Sequence, residues 1–71
     1  MAIDKQLLKS HIIRHDKTQE VLAKAMGISL SGLNAKINEK DGREFKQNEI
    51  SFIRQRYDMT DSDVVDVFFA Q

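Results

Sequence analysis

The sequence predicts an all-α protein built from five short helices. The 71-residue chain contains no proline, which would interrupt a helix, and its apolar residues recur at the spacing of a helical face. Its three glycines mark candidate turns, because glycine is the strongest remaining helix breaker. A chain of this length builds one small core, so residues 1–71 are predicted to form a single domain.

The first two helices are defined by their caps and apolar faces. The first is predicted over residues 5–14, where Asp4 supplies the N-cap carboxylate. Its apolar side chains lie on or near one face: Leu7, Leu8, Ile12 and Ile13. The second is predicted over residues 19–26, capped by Thr18 and ended by Gly27, which adopts the left-handed conformation at little cost.

The third helix is predicted over residues 30–37, with Ser29 as its N-cap. Gly32 lies inside this helix, where glycine costs roughly 1 kcal/mol relative to alanine. A packing or contact reason for Gly32 is therefore expected. Residues 38–45 are polar and contain the turn signal Asp41 and Gly42, which predicts a loop.

The fourth helix is predicted over residues 47–56, and a last helix begins after Thr60. Glu49 occupies the position of a capping-box acid, although Lys46 is a poor cap, so the box is incomplete. Residues 64–71 leave two alternatives, because VVDVFF contains β-branched and aromatic residues that suit a strand across a dimer. The Thr60 cap and the acids after it favour the helix.

The segment joining the second and third helices has the pattern of a helix-turn-helix. Ala23 is small enough for the two helices to approach closely, Gly27 supplies a positive φ, and Ser29 caps the next helix. The wedge between the helices is filled by Leu22, Met26, Ile28 and Leu33. A generic helical hairpin would not require this spacing. Lys36 stands where the pattern usually has an aliphatic residue, which predicts a third helix that is slightly rotated or frayed near its end.

Charge is distributed unevenly along the chain. Residues 1–56 contain all eleven Lys and Arg and seven of the eleven acids, a net charge of +4, whereas residues 57–71 carry four Asp and no base. Such asymmetry indicates charged partners, and ordinary surface scatter with acids at a helix start is the alternative explanation. The absence of cysteine excludes disulfides and thiolate metal sites, and the apolar runs are too short to span a membrane.

The segment TQEVLAKAMGISLSGLNAKIN, followed by a polar loop, FKQNEI and MTDSDVVDVFF, resembles the lambda-repressor-like, five-helix DNA-binding domains. More narrowly, it is similar to the small Cro-type and antirepressor proteins of temperate phages of Gram-positive bacteria. The resemblance covers nearly the whole chain. It implies a regulator of the choice between lysis and lysogeny, acting in the cytoplasm of the bacterial host.

Within this family the start of the third helix faces base edges in the major groove. The corresponding residues, which are the candidates for DNA or partner binding, are Ser29, Leu30, Ser31, Asn34 and Ala35. Only Asn34 belongs to the set of strong base readers, and Leu30 and Ala35 suit a thymine methyl group. Candidates for phosphate contacts are Thr18, Gln19, Asn38, Lys40, Arg43 and Lys46. Acidic residues at 39, 41 and 44 are interleaved with these bases and weaken the local positive field.

Two functions of different classes are predicted. In the first, the chain binds operator DNA, as a homodimer that places two third helices about 34 Å apart. In the second, it is an antirepressor that docks on the lysogeny repressor, whose basic DNA-binding face would attract the acidic C-terminal residues. The candidates for a dimer or partner contact are Phe52, Phe68 and Phe69. Either Phe68 or Phe69 is expected to pack on the core with Val64 and Val65. The alternative is that both phenylalanines are buried in the core.

Neither an enzyme nor a cofactor is predicted. His11 and His15 have the i, i+4 spacing of a metal pair, but no third ligand accompanies them at the spacing of a metal motif. Ser10 and His11 are adjacent in a helix and point about 100° apart, so with Asp16 they do not form a catalytic set. No metal and no small-molecule substrate are therefore expected.

Overall fold

The computed structural model describes residues 3–70, which form five α helices and one 3-10 turn. In chain order these are α1 Lys5–Asp16, α2 Gln19–Met26, α3 Leu30–Ile37, the 3-10 turn Lys40–Gly42, α4 Gln47–Tyr57 and α5 Asp61–Phe68. Residues 3–70 contain no strand, so the all-α class is confirmed and residues 64–68 are helical. Gln71, the last residue of the strand alternative, lies outside the described residues.

Side-chain caps begin four of the helices at the predicted positions, which are Asp4, Thr18, Ser29 and Thr60. Each cap oxygen accepts a hydrogen bond from the backbone N–H three residues later, at 3.0 to 3.3 Å. These bonds satisfy donors that a helix N-terminus leaves without an internal partner. The starts of these helices are therefore fixed by local chemistry.

Two helix ends lie beyond their predicted positions. α1 continues to Asp16, two residues past the predicted end, and α4 continues to Tyr57, one residue past it. The Tyr57 hydroxyl donates a hydrogen bond to the Asp16 carboxylate, and both side chains are buried. This contact between residues distant in sequence holds the last turns of both helices in place. Lys17 and Asp58 then end the helices with φ values of 70° and 50°.

The core draws side chains from all five helices and from the segments before α4 and α5. The buried apolar residues are Leu8, Ile12, Leu22, Ala23, Leu33, Ile37, Phe45, Ile50, Ile53, Tyr57, Met59, Val64, Val67 and Phe68. Met26 and Ile28 pack against this core as the predicted wedge requires. Two apolar residues differ from expectation, since both are more than half exposed. Ile13 was predicted on or near the apolar face of α1, and Val65 was predicted to pack in the core.

Contacts between helices fix how α1 packs on its neighbours and how α3 packs on α4. α1 packs against α2 and α5, and the Asp4 N–H donates to the Val67 carbonyl at 2.8 Å. Lys36 near the end of α3 forms an ion pair with Glu49 of α4, and Ile37 beside it is fully buried. The predicted fraying of α3 is therefore wrong, since Lys36 reaches a carboxylate where an aliphatic residue was expected to pack.

Candidate nucleic-acid interface

The corner between α2 and α3 is a tight turn centred on Gly27. Gly27 has φ 74° and ψ 29°, and the Ile28 N–H donates to the Ala23 carbonyl at 3.0 Å. Ala23 is buried where its helix turns back, so a larger side chain would have no room there. The left-handed conformation of Gly27 and the hydrogen bond from Ile28 to Ala23 end α2 at Met26. α3 begins three residues after Gly27, immediately after its Ser29 cap.

Gly32 has a contact reason for its place inside α3. A Cβ built on Gly32 would lie 3.1 Å from the Ser29 Oγ, closer than most real contacts of that kind. The same Oγ accepts the Gly32 N–H at 3.0 Å and thereby caps the helix. Glycine at this position leaves room for the cap that starts α3.

The outer face of α3 and the loop after it form an open groove of about 620 Å³. It is lined by Ser29, Ser31, Gly32, Asn34, Ala35, Asn38, Lys40, Asp41 and Arg43. The side of the groove formed by α3 carries small side chains, which leave room for the groove. The side formed by the following loop carries charged side chains. Four of the predicted base-reading residues and three of the predicted phosphate contacts are thus brought to one surface.

The other predicted contact residues lie outside this groove. Leu30 is exposed at the start of α3, without lining the groove. Thr18 caps α2 and Gln19 begins it, so both belong to the α2 N-terminus. Lys46 lies at the start of α4, where its backbone N–H donates to Glu49 at 2.8 Å. These three sites are separate from the groove lining.

Some polar groups in the groove have hydrogen-bond or ion-pair partners within the protein, and others do not. The Asn38 Nδ2 donates to the Asn34 carbonyl at 2.9 Å, so the Asn38 amide is engaged in closing α3. Within residues 3–70 the side-chain amide of Asn34 has no hydrogen-bond partner, and Lys40 and Arg43 have no ion-pair partner. An amide and two cations are therefore available to a ligand, with the carboxylate of Asp41 beside the cations.

Lys36, the one cation of α3, is engaged elsewhere. Its Nζ lies 2.7 and 2.6 Å from the two carboxylate oxygens of Glu49, and neither side chain is more than 17% exposed. Burial alone would raise the pKa of Glu49, but hydrogen bonds from Lys36 and from the Lys46 N–H outweigh it and lower that pKa. Lys36 therefore joins α3 to α4 and does not line the groove.

The predicted aromatic contacts divide into exposed and buried residues. Phe52 and Phe69 are each 39% exposed, whereas Phe68 is 0% exposed and packs edge-to-face on Phe45 at 5.6 Å. The prediction of Phe68 as a dimer or partner contact is wrong, because the helical phase of α5 directs it into the core. Phe69 lines a second groove of about 200 Å³ between α4 and α5, together with Arg54.

A partly buried ion pair that the sequence did not reveal joins the ends of α1 and α4. Arg56 donates to the carboxylate of Asp16 from Nη2 at 2.6 Å and from Nε at 3.1 and 3.2 Å. These bonds outweigh burial and hold the pKa of Asp16 below its ordinary value, while burial and the bond to Asp16 raise that of Tyr57. The ring of His15 stacks on Tyr57 at 4.7 Å. Neither groove includes these residues, whose contacts join the ends of α1 and α4.

The two histidines of α1 lie parallel, with ring centroids 6.4 Å apart, and the Nδ1 of His11 is buried without a hydrogen bond. Across residues 3–70 no three His, Cys, Asp or Glu side chains are grouped as a metal site requires. In the same part of the chain no helix has the length and apolar character needed to cross a membrane.

Comparisons with known proteins place the chain in a family. A family model described as "Protein of unknown function (DUF739)" matches residues 1–71. Comparison with curated proteins and with solved structures yields no match. Because the family model spans every residue of the sequence, the chain belongs to the DUF739 family.

Proposed function

We propose that the chain is a helix-turn-helix transcriptional regulator that binds duplex DNA with α3 in the major groove. The observation that carries this proposal is the groove on α3. Its helix wall carries small side chains and an unbonded amide, and its loop wall carries Lys40 and Arg43 without ion-pair partners among residues 3–70. A helix whose exposed face carries small side chains can enter the major groove and contact bases, and cations in the loop after the helix can contact the flanking phosphates.

The corner between α2 and α3 supports the same proposal. Ala23, Gly27 and Ser29 each perform the role that a helix-turn-helix requires, as close-approach residue, left-handed stop and cap. The resemblance to Cro-type proteins supports a role in the switch between lysis and lysogeny of a temperate phage, in the host cytoplasm. It also supports a homodimer that spaces two α3 helices about 34 Å apart on an operator.

Binding to a non-specific duplex as salt is varied tests this function. Each phosphate that a protein neutralises contributes about −0.9 to the slope of log affinity against log salt. We expect a steep negative slope that Lys40→Ala and Arg43→Ala each reduce by about 1. Lys36→Ala is the matched control, since Lys36 is held by Glu49 and its loss should leave the slope unchanged. Absence of binding at low salt would overturn the proposal.

A second candidate function is an antirepressor that docks on the phage repressor through the same surface. Asp41 in the groove lining, and the exposed Asp66 of α5, favour a basic protein surface over a phosphate backbone. Mixing the chain with the repressor and operator DNA, followed by size exclusion and gel shift, separates the two functions. If α3 is the docking face, replacing Leu30 and Asn34 with alanine should abolish the complex with the repressor, and unchanged affinity would exclude that face.

A further inference from the structure

α3 offers no cation to the surface that the proposed function assigns to DNA bases. Its single Lys, Lys36, is bound by both carboxylate oxygens of Glu49 and does not line the groove. Proteins recognise guanine in the major groove chiefly with Arg or Lys, which donate to its O6 and N7. α3 therefore lacks the kind of donor that selects a G·C pair.

Asn34 is the side chain of α3 that is equipped for the edge of a base. It lines the groove, and its amide has no partner among residues 3–70, whereas the Asn38 amide is engaged with the Asn34 carbonyl. A carboxamide presents one acceptor and one donor side by side. That arrangement matches the N6 donor and N7 acceptor of adenine.

Two apolar side chains flank Asn34 along the helix. Leu30 lies one turn earlier and is 40% exposed, and Ala35 follows Asn34 and lines the groove. Their methyl groups form no hydrogen bonds, and the apolar group that a base edge offers them in the major groove is the C5-methyl of thymine. α3 thus offers an adenine edge one side-chain amide, that of Asn34. It offers thymine methyl groups two apolar contacts, at Leu30 and Ala35.

We propose that α3 recognises A·T base pairs, with the Asn34 amide bonded to adenine N6 and N7 and with Leu30 and Ala35 against thymine methyls. The inference rests on the proposed DNA-binding function and names its substrate class. The operator half-site is A·T-rich at the positions beneath α3, and the protein distinguishes thymine from uracil although both form the same hydrogen bonds.

The test begins with selection of bound sequences from a pool of randomised duplexes. We expect the selected sequences to fix A·T pairs at the positions that α3 covers. Replacing thymine by deoxyuridine at these positions removes only the C5-methyl, and we expect affinity to fall about fourfold per contacted methyl. This replacement alters the DNA alone, so a folding defect of a variant protein cannot produce the effect.

A protein variant completes the test. Asn34→Ala should lower affinity by about 5-fold to 150-fold and relax the adenine preference. Gln55→Ala removes an exposed amide outside both grooves and should bind like the parent. A pool that yields no bound duplex overturns the DNA-binding function itself. Fixed G·C pairs beneath α3, or affinity unchanged by deoxyuridine and by Asn34→Ala, overturn the A·T readout while DNA binding stands.

Discussion

Replacement of Arg56 by alanine should destabilise the fold much more than the same change at Arg54, two residues earlier in α4. Arg56 supplies three contacts of 2.6 to 3.2 Å to the carboxylate of Asp16, whose side chain is only 5% exposed. Arg54 pairs with Asp61 on the surface, where the side chains are 44% and 86% exposed. The two arginines share a helix and differ chiefly in the burial of their partner.

The loss of stability in each variant depends on whether the remaining carboxylate is buried or exposed. Removing one partner of a fully buried ion pair costs about 3–5 kcal/mol, because the other charge remains buried. Here Arg56 is 34% exposed, and Tyr57 still donates to Asp16, so we expect about 2–3 kcal/mol. An exposed pair such as Arg54 with Asp61 contributes about 0–1 kcal/mol. A chain of 71 residues has a total stability of about 4–11 kcal/mol, so Arg56→Ala should still fold.

Urea denaturation followed by circular dichroism measures both variants. At neutral pH the midpoint should fall clearly for Arg56→Ala and little for Arg54→Ala, with unchanged slopes. The penalty at Arg56 should shrink in acid, because protonation of Asp16 removes the charge that Arg56 neutralises. Equal midpoints for the two variants, or a penalty at Arg56 that is independent of pH, would refute the stabilising role of the ion pair between Arg56 and buried Asp16.

Three further outcomes are expected. Gly27→Ala should lower the free energy of unfolding by about 1–2 kcal/mol, because alanine is strained at φ 74°, and urea denaturation would detect it. Phe68→Ala should cost about 3–5 kcal/mol. Phe69→Ala should cost only about 1–2 kcal/mol, because its side chain is 39% exposed, and similar midpoints would contradict their different burial. Arg56 holds the pKa of Asp16 below its ordinary 3.8, so the unfolded chain binds more protons near that pH. Stability should therefore fall as pH drops through and below 3.8 in an acid titration, and a flat profile would contradict it.

The starts of the helices were predictable because a cap bonds to a backbone group three residues away. Asp4, Thr18, Ser29 and Thr60 all act as the sequence indicates, and α2 and α3 have the predicted bounds. The residues that line the groove were also largely predictable, because helical phase places Ser31 and Ala35 opposite buried Leu33 and Ile37.

Features that depend on long-range contacts were not predictable. Asp16 and Arg56 are 40 positions apart, and nothing local shows that the ends of α1 and α4 meet. Lys36 departs from the helix-turn-helix pattern, and nothing near it in sequence shows that Glu49, 13 positions later, is its ion-pair partner. For adjacent Phe68 and Phe69 the sequence leaves open whether one or both are buried, and the packing of α5 decides that Phe68 is buried and Phe69 is exposed.

A two-dimensional NMR titration of the chain with duplex DNA at low salt locates the bound surface most directly. We predict that the largest amide shifts fall on the groove, at Ser31, Asn34, Ala35 and Lys40, and that residues around Phe69 change little. The groove lies on one face of α3 and the following loop, so the shifts should form one contiguous patch. Shifts confined to the groove between α4 and α5, or no shifts at all, would contradict DNA binding through α3.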